Sequence, residues 1–290
     1  MNTKFKRKAA LIAIICTLLP GISYATETNV TSQHATDVSE DDTDNTTDEN
    51  SAGFIVGYDH TSGTYGTKKT STTLTIPVTV TYDTGNNGYA ITVPYVRQTA
   101  LAGQIAGSRV IGVGGSNSIV SQAGLGDASA SVTHYVYDDD ETGVSIDVKG
   151  EIKFATGDQS KSLGTGKNDY SVQLDVYIDN DNLGVSGTIG YSVLGSPGDV
   201  VINGVQQNII LNNVYYGSLG VSYNATENIK VGLMYDMQQA AEIGGYPPRT
   251  VKANLNIKLS ESNRLQLYIS KGQSDGSPEW SSGASISTSF

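Results

Sequence analysis

The sequence predicts an all-β protein: a transmembrane, up-and-down antiparallel β-barrel of about 12 strands behind a disordered N-terminal tail. Three observations carry that prediction. Apolar and polar residues alternate with a period of two from Gly53 to the terminal Phe290. The connections between alternating stretches are short at every second position and long at the others. Tyrosine, with 17 residues against four Phe and one Trp, gathers at the ends of the stretches.

The chain opens on Lys4, Lys6, Arg7 and Lys8, followed by an apolar run from Ala9 to Leu19, Pro20-Gly21 and Ser23-Tyr24-Ala25. A charged start, a short apolar middle and a small-x-small ending read as a secretory signal peptide over residues 1–25. The run is too short to span a bilayer as a helix, and no later stretch is long and apolar enough either. The single cysteine, Cys16, lies inside that signal, so the exported chain holds no disulfide, thiol chemistry or cysteine metal site. Losing the four basic residues leaves 14 of 18 against 29 acidic ones, moving the net charge from −11 to −15. Such a chain makes a poor nucleic-acid partner.

Residues 26–52 form an acidic segment with Glu27, Asp37, Glu40, Asp41, Asp42, Asp44, Asp48 and Glu49 and no Lys or Arg. Almost without large apolar residues, it cannot bury enough surface to offset its ordering entropy, and it reads as a solvated periplasmic tail. The remainder, 53–290, reads as the barrel. Its strands are marked in order by Phe54–Tyr58, Leu74–Tyr82, Tyr89–Tyr95, Ala128–Val136, Val144–Phe154, Tyr170–Ile178, Leu183–Val193, Tyr215–Tyr223, Ile229–Met237, Val251–Leu259, Leu265–Ile269 and Trp280–Phe290.

One such strand, VSIDVKGEIKF, is apolar on one face and charged on the other. In a soluble sandwich the apolar face would be core. In a membrane barrel it meets lipid, and the charged face lines a wet interior. Connection lengths separate the two. Short polar turns are expected at 83–88, 138–142, 179–182, 224–228 and 260–263, and long Gly/Ser/Thr-rich loops at 61–69, 99–126, 157–167, 195–211, 240–249 and 272–279. A meander puts each class at its own end, as outer-membrane barrels do, and a Greek-key sandwich has no reason to. Tyr82, Tyr89, Tyr95, Tyr170, Tyr191, Tyr215, Tyr223 and Tyr235 sit where interfacial girdles form. Phe290, closing the last strand, is the residue type by which barrel assembly machinery receives its clients.

The charged face then supplies ten candidate pore-lining residues: Asp147, Lys149, Glu151, Lys153, Asp175, Lys230, Asp236, Lys252, Lys258 and Arg264. A barrel of this size can hold water between them. Six basic against four acidic side chains imply a weak anion preference inside, behind an acidic mouth at Asp138-Asp139-Asp140-Glu141. The expected partners are outer-membrane lipid, the assembly machinery and a small-molecule solute. If the charges zip together instead, the barrel is plugged and structural, with loops 99–126 and 195–211 free to bind an external partner.

Catalytic chemistry finds no foothold. His34 is in the tail, His134 has lipid-side parity, and His60 stands beside Asp59 without a nucleophile. No Gly-x-Ser-x-Gly elbow or His-x-x-x-His pair occurs, so neither an enzyme nor a resident metal or cofactor is expected. Gly112-x-Gly114-Gly115 lies in a long loop, outside the strand–helix setting a nucleotide site requires.

The middle of the chain carries a more specific pattern. Gly124-Leu125-Gly126-Asp127 opens a strand, followed by Gly150–Ala155, Thr156-Gly157-Asp158, Leu163-Gly164-Thr165-Gly166 and Asp169. This resembles the outer-membrane family named for the meta pathway of phenol degradation, whose members are regarded as transporters. That family commonly has Pro where Ala155 stands. The resemblance implies a barrel and uptake or export of small solutes, aromatic or hydrophobic ones among them, across the outer membrane, and transfers no catalytic residue.

Overall fold

The computed structural model describes residues 50–101, 104–106, 109–111, 119–139, 141–180, 182–202 and 205–290. The expected signal peptide and nearly all of the expected tail lie outside these residues. The strands are β1 (Ser51–Gly63), β2 (Ser71–Asp83), β3 (Asn87–Leu101), β4 (Gln104–Ala106), β5 (Arg109–Ile111), β6 (Ile119–Leu125), β7 (Ser129–Asp139), β8 (Val144–Lys153) and β9 (Asp169–Asn180). They continue with β10 (Leu183–Val193), β11 (Gly198–Ile202), β12 (Val205–Ile209), β13 (Val214–Thr226), β14 (Ile229–Gln238), β15 (Arg249–Lys258), β16 (Asn263–Gly272) and β17 (Trp280–Ser289).

Thirteen of these share one antiparallel sheet that closes on itself, because β1 pairs with β17 and β2 pairs with both β1 and β3. β6 and β7 both pair with β3 and together make one position, so the ring has 12. β4–β5 and β11–β12 are separate hairpins within the long connections. The short connections follow β2, β7, β9, β13 and β15, and the long ones follow β1, β3, β8, β10, β14 and β16, so each class occupies its own end. The start of β1 and the end of β17 lie at the short-turn end, where Ala52 and Phe290 exchange backbone hydrogen bonds of 3.1 and 2.9 Å.

Two prolines explain where the ladder lapses. Pro77 and Pro94 face each other across β2 and β3. Neither can donate a backbone hydrogen bond. The β1–β2 register skips between Val56↔Val78 and Asp59↔Thr75, beside Pro77. On the other side of β3, pairing to β7 ends at Thr92↔Ser129 and pairing to β6 begins at Tyr95↔Leu125, across Pro94. The Pro94 carbonyl accepts from Gly126 N–H at 2.8 Å, holding the chain through the break.

This corrects the loop expected at 99–126: β3 runs to Leu101, and Ile119–Leu125 is a strand. Alternating Ile119, Ser121, Ala123 and Leu125 with Val120, Gln122 and Gly124 gives too weak a hydrophobic contrast to read as one. The Gly124–Asp127 motif closes β6 as well as opening β7. Between Tyr135 and Tyr137 a bulge shifts the register of β7 on β8, so parity beyond it is inverted.

Apolar side chains point away from the ring. Ile91, Leu125, Leu183, Ile189, Leu219 and Leu233 are among the large exposed ones. In water such a surface would aggregate; around a closed sheet it is a lipid-facing belt. No helix of the described residues is long and apolar enough to cross a membrane.

Candidate functional site

The inward face is polar and carries the chemistry. The ten sequence-predicted residues all project inward by strand parity: Asp147, Lys149, Glu151 and Lys153 on β8, Asp175 on β9, Lys230 and Asp236 on β14, Lys252 and Lys258 on β15, and Arg264 on β16. The ion pairs seen among the described residues join neighbouring parts of the wall. They form local groups along the wall.

The tightest group lies under the long-loop end. Lys153 Nζ stands 2.6 Å from Asp169 and 3.3 Å from Asp127, with all three side chains buried. Asp127 Oδ1 also accepts from Gly157 N–H at 2.8 Å, and Asp169 Oδ1 from Gly195 N–H at 2.7 Å. Thr156 completes the junction: its hydroxyl donates to the Gly126 carbonyl at 3.3 Å and accepts from Ala128 N–H at 2.8 Å. The family-like residues are therefore one clasp. It fastens the β6–β7 break to the start of the β8–β9 connection. Gly164 is part of it because a Cβ there would come within 2.2 Å of Asp127 Oδ1. Gly166 turns the chain back at a φ of 70°, over Gln159.

From the clasp the connection folds back over the lumen. Its 3-10 turn, Gln159–Lys161, is capped by Asp158, which accepts from the Ser160 backbone N–H at 3.0 Å and hydroxyl at 2.5 Å. The Ser160 hydroxyl bond holds the Asp158 carboxyl below its usual range. Gln98, on the inward face of β3, donates to the carbonyls of Lys161 (3.2 Å) and Ser162 (2.7 Å). Leu163, 2 % exposed, drops between Gly124 and Gly126, whose added Cβ atoms would meet Leu163 itself. Across the mouth Leu194, Ile209, Leu211, Val214 and Ala241 make an apolar knot from the β10–β13 and β14–β15 connections. Leu211 and Glu242 bridge them.

Elsewhere the charges pair in smaller sets. Lys149 and Glu151 meet at 3.2 Å along β8. Lys230 reaches Asp179 at 2.6 Å, over Gly184 and Ser222 of the two intervening strands. Lys252 Nζ lies 3.7 Å from Asp236 and over the Tyr268 ring at 5.6 Å. Asp175 accepts from Thr188 at 2.5 Å and Gln173 at 2.7 Å. Lys258 and Arg264 sit near the short-turn end, where Asn256, Gln266, Ser285 and Ser287 are only half-buried.

The sequence reading left six inward carboxylates out of the lining: Asp59, Asp83, Asp127, Asp138, Asp169 and Asp179. With them, six basic against four acidic side chains become six against ten among the described residues, and the expected anion preference loses its basis. Asp59 was hidden because the first strand extends past Tyr58 to Gly63. Asp59 and His60 also point to opposite faces, so they form no dyad. His134 Nδ1 instead pairs with Asn87 at 2.9 Å near the short turns. No group of three His, Cys, Asp or Glu that could hold a metal occurs among the described residues.

A profile of the family described as "Putative MetA-pathway of phenol degradation" matches residues 43–290. No curated protein matches the sequence. Among solved structures, the COG4313 outer membrane channel from Pseudomonas putida F1 superposes with a TM-score of 0.61 at 11 % identity, covering 86 % of this chain and 100 % of that one. The NanC porin follows with a TM-score of 0.49 at 10 % identity, over 82 % and 98 % of the two chains. The translocator domain of the autotransporter NalP from Neisseria meningitidis has the same TM-score, at 12 % identity over 83 % and 88 %. At 11 % identity the likeness to the first of these speaks for the barrel fold alone.

Proposed function

We propose that this chain, which belongs to the MetA-pathway phenol-degradation family, is an outer-membrane channel that passes small solutes through its charge-lined lumen. The observation that carries the reading is the closed ring itself, with large apolar side chains outward and paired charges inward. A protein with only a structural role would gain nothing from an interior of buried charges, each costly unless paired or hydrated. Aromatic solutes are included because of the family to which the chain belongs. The ten predicted residues line the path, and the added carboxylates give it a cation preference. It is not an enzyme, and it is exported through the signal in residues 1–25. Phe290, 79 % exposed with its backbone held by Ala52, leaves its ring free for the assembly machinery to read.

The folded-in connections at the long-loop end make the outer mouth a gate, which must move for solutes to enter. They also favour a second reading, in which the barrel stays shut and its loops bind an external partner. Liposome swelling with sugars of graded size and with phenol decides between them. Swelling that falls with solute size supports the channel. A correctly folded barrel that admits none of them supports the closed binding protein.

A further inference from the structure

Where charges stand on the outward face is as uneven as where they stand inside. At the long-loop end, the charged side chains on outward strand positions are Arg97 on β3, Arg249 on β15 and Lys271 on β16, joined by His60 on β1. None is acidic. They fall on one arc, β15–β16–β17–β1–β2–β3, whose strands are consecutive in the ring. The opposite arc, β8 to β14, presents Tyr170, Tyr191, Tyr215 and Tyr235 at that end and no outward charge. The remaining outward strand charges, His134 and Asp139, belong to the short-turn end.

The height of the basic residues is set by register. Arg97 is one outward position beyond Tyr95, and His60 one beyond Tyr58, a step of about 7 Å along the strand. Lys271 pairs with Trp280 one further step out, its Nζ 5.3 Å from the indole ring. Aromatic rings mark the interface between hydrocarbon and headgroups, so cations just beyond them stand at headgroup level. Arg97 and Arg249 are exposed, and neither they nor Lys271 forms an ion pair among the described residues. The nearby Glu279 carboxylate is taken by the Thr64 hydroxyl at 2.9 Å. From Lys271 to Arg97 is four strand spacings, roughly 19 Å, which is wider than one phosphate and fits a multi-acyl lipid bearing more than one.

We propose that this arc is a docking surface for the phosphorylated glycolipid of the outer leaflet, with Arg97, Arg249 and Lys271 holding its phosphates and Trp280 stacking beside them. The inference rests on the orientation given above, long loops outward. Guanidinium and ammonium groups with no carboxylate partner among the described residues, facing an anionic headgroup, form charge-assisted bonds that an interior of paired lysines cannot offer.

Trp280 is the chain's single tryptophan, so its fluorescence reports this surface alone. Folded full-length protein in zwitterionic detergent is titrated with bis-phosphorylated lipid A, with phosphate-free lipid A and with phosphatidylglycerol. Saturable change with the bis-phosphorylated lipid only is expected, and about tenfold or greater weakening in the combined R97Q, R249Q and K271Q variant. Equal response to phosphate-free lipid A, equal response to phosphatidylglycerol, or an unchanged affinity in the variant overturns the proposal. Should the variant fail to fold on a heat-modifiability gel, the three-lipid series on the unmodified protein still decides. The readout is independent of conductance, so a barrel that binds the lipid but admits no solute loses the channel reading and keeps this one.

Discussion

The two ends of the lumen are built from the same strands and behave as different materials. Along β10, β13, β15, β16 and β17, inward residues near the long loops, such as Ser192, Val214, Thr250, Ser270 and Ser281, are buried. Inward residues of the same strands near the short turns, Ser186, Ser222, Lys258, Arg264 and Ser287, are half-buried. Connection length makes the difference. A turn of a few residues cannot fold back, whereas a connection of a dozen or more can return its side chains into the opening. Closure at one end therefore depends on specific clasps, and openness at the other on small side chains.

The largest effect should come from the clasp. Lys153→Met leaves Asp127 and Asp169 buried without their cation, and should lower stability by about 3–5 kcal/mol. A urea series followed by gel mobility of the folded form measures it; an unchanged midpoint would mean that water already satisfies the pair. Next, Leu163→Ala removes the side chain that seats the returning connection. Truncating a buried leucine typically costs about 2–5 kcal/mol, and here the loss falls on the closed mouth, so single-channel recordings should show longer open times. A barrel equally shut after the change would place the barrier elsewhere. At the open end, Lys258→Glu with Arg264→Glu should shift the reversal potential further toward cations while changing stability by only about 0.5 kcal/mol, as at other wet surface sites. The smallest effect concerns pH. Asp158, its carboxyl held low by Ser160, contributes to loop order fully above the ordinary carboxylate range, and loses that contribution as pH falls through its lowered pKa. Acidification should thus loosen the mouth, and Ser160→Ala should move that transition to higher pH in conductance recordings.

The open end was the more legible of the two. Period-two alternation places Lys258, Asn256, Arg264 and Gln266 on one face without knowledge of any other strand. The clasp was visible only as a motif. Gly157, Gly164 and Asp127 read as family-like residues, yet their role follows from Lys153 meeting carboxylates on two other segments, a relation no local pattern encodes. Asp59 escaped because Thr61, Ser62 and Gly63 look like a loop while their backbone continues the ladder to β17 and β2. Strand β6 escaped for the same reason, its small and polar residues being held by pairing to β3. In both places tertiary hydrogen bonding overrode weak propensity.

The seam between β1 and β17 joins the first and last strands of the ring, with Phe290 bonded to Ala52. Joining partners so distant in sequence is the slowest kind of contact to form. The circle therefore cannot be completed until β17 has arrived, and a nascent molecule lacking that strand keeps two raw edges that invite neighbours. Quality control needs no separate inspector under that arrangement, since only a ring that has received β17 can hide its own margins.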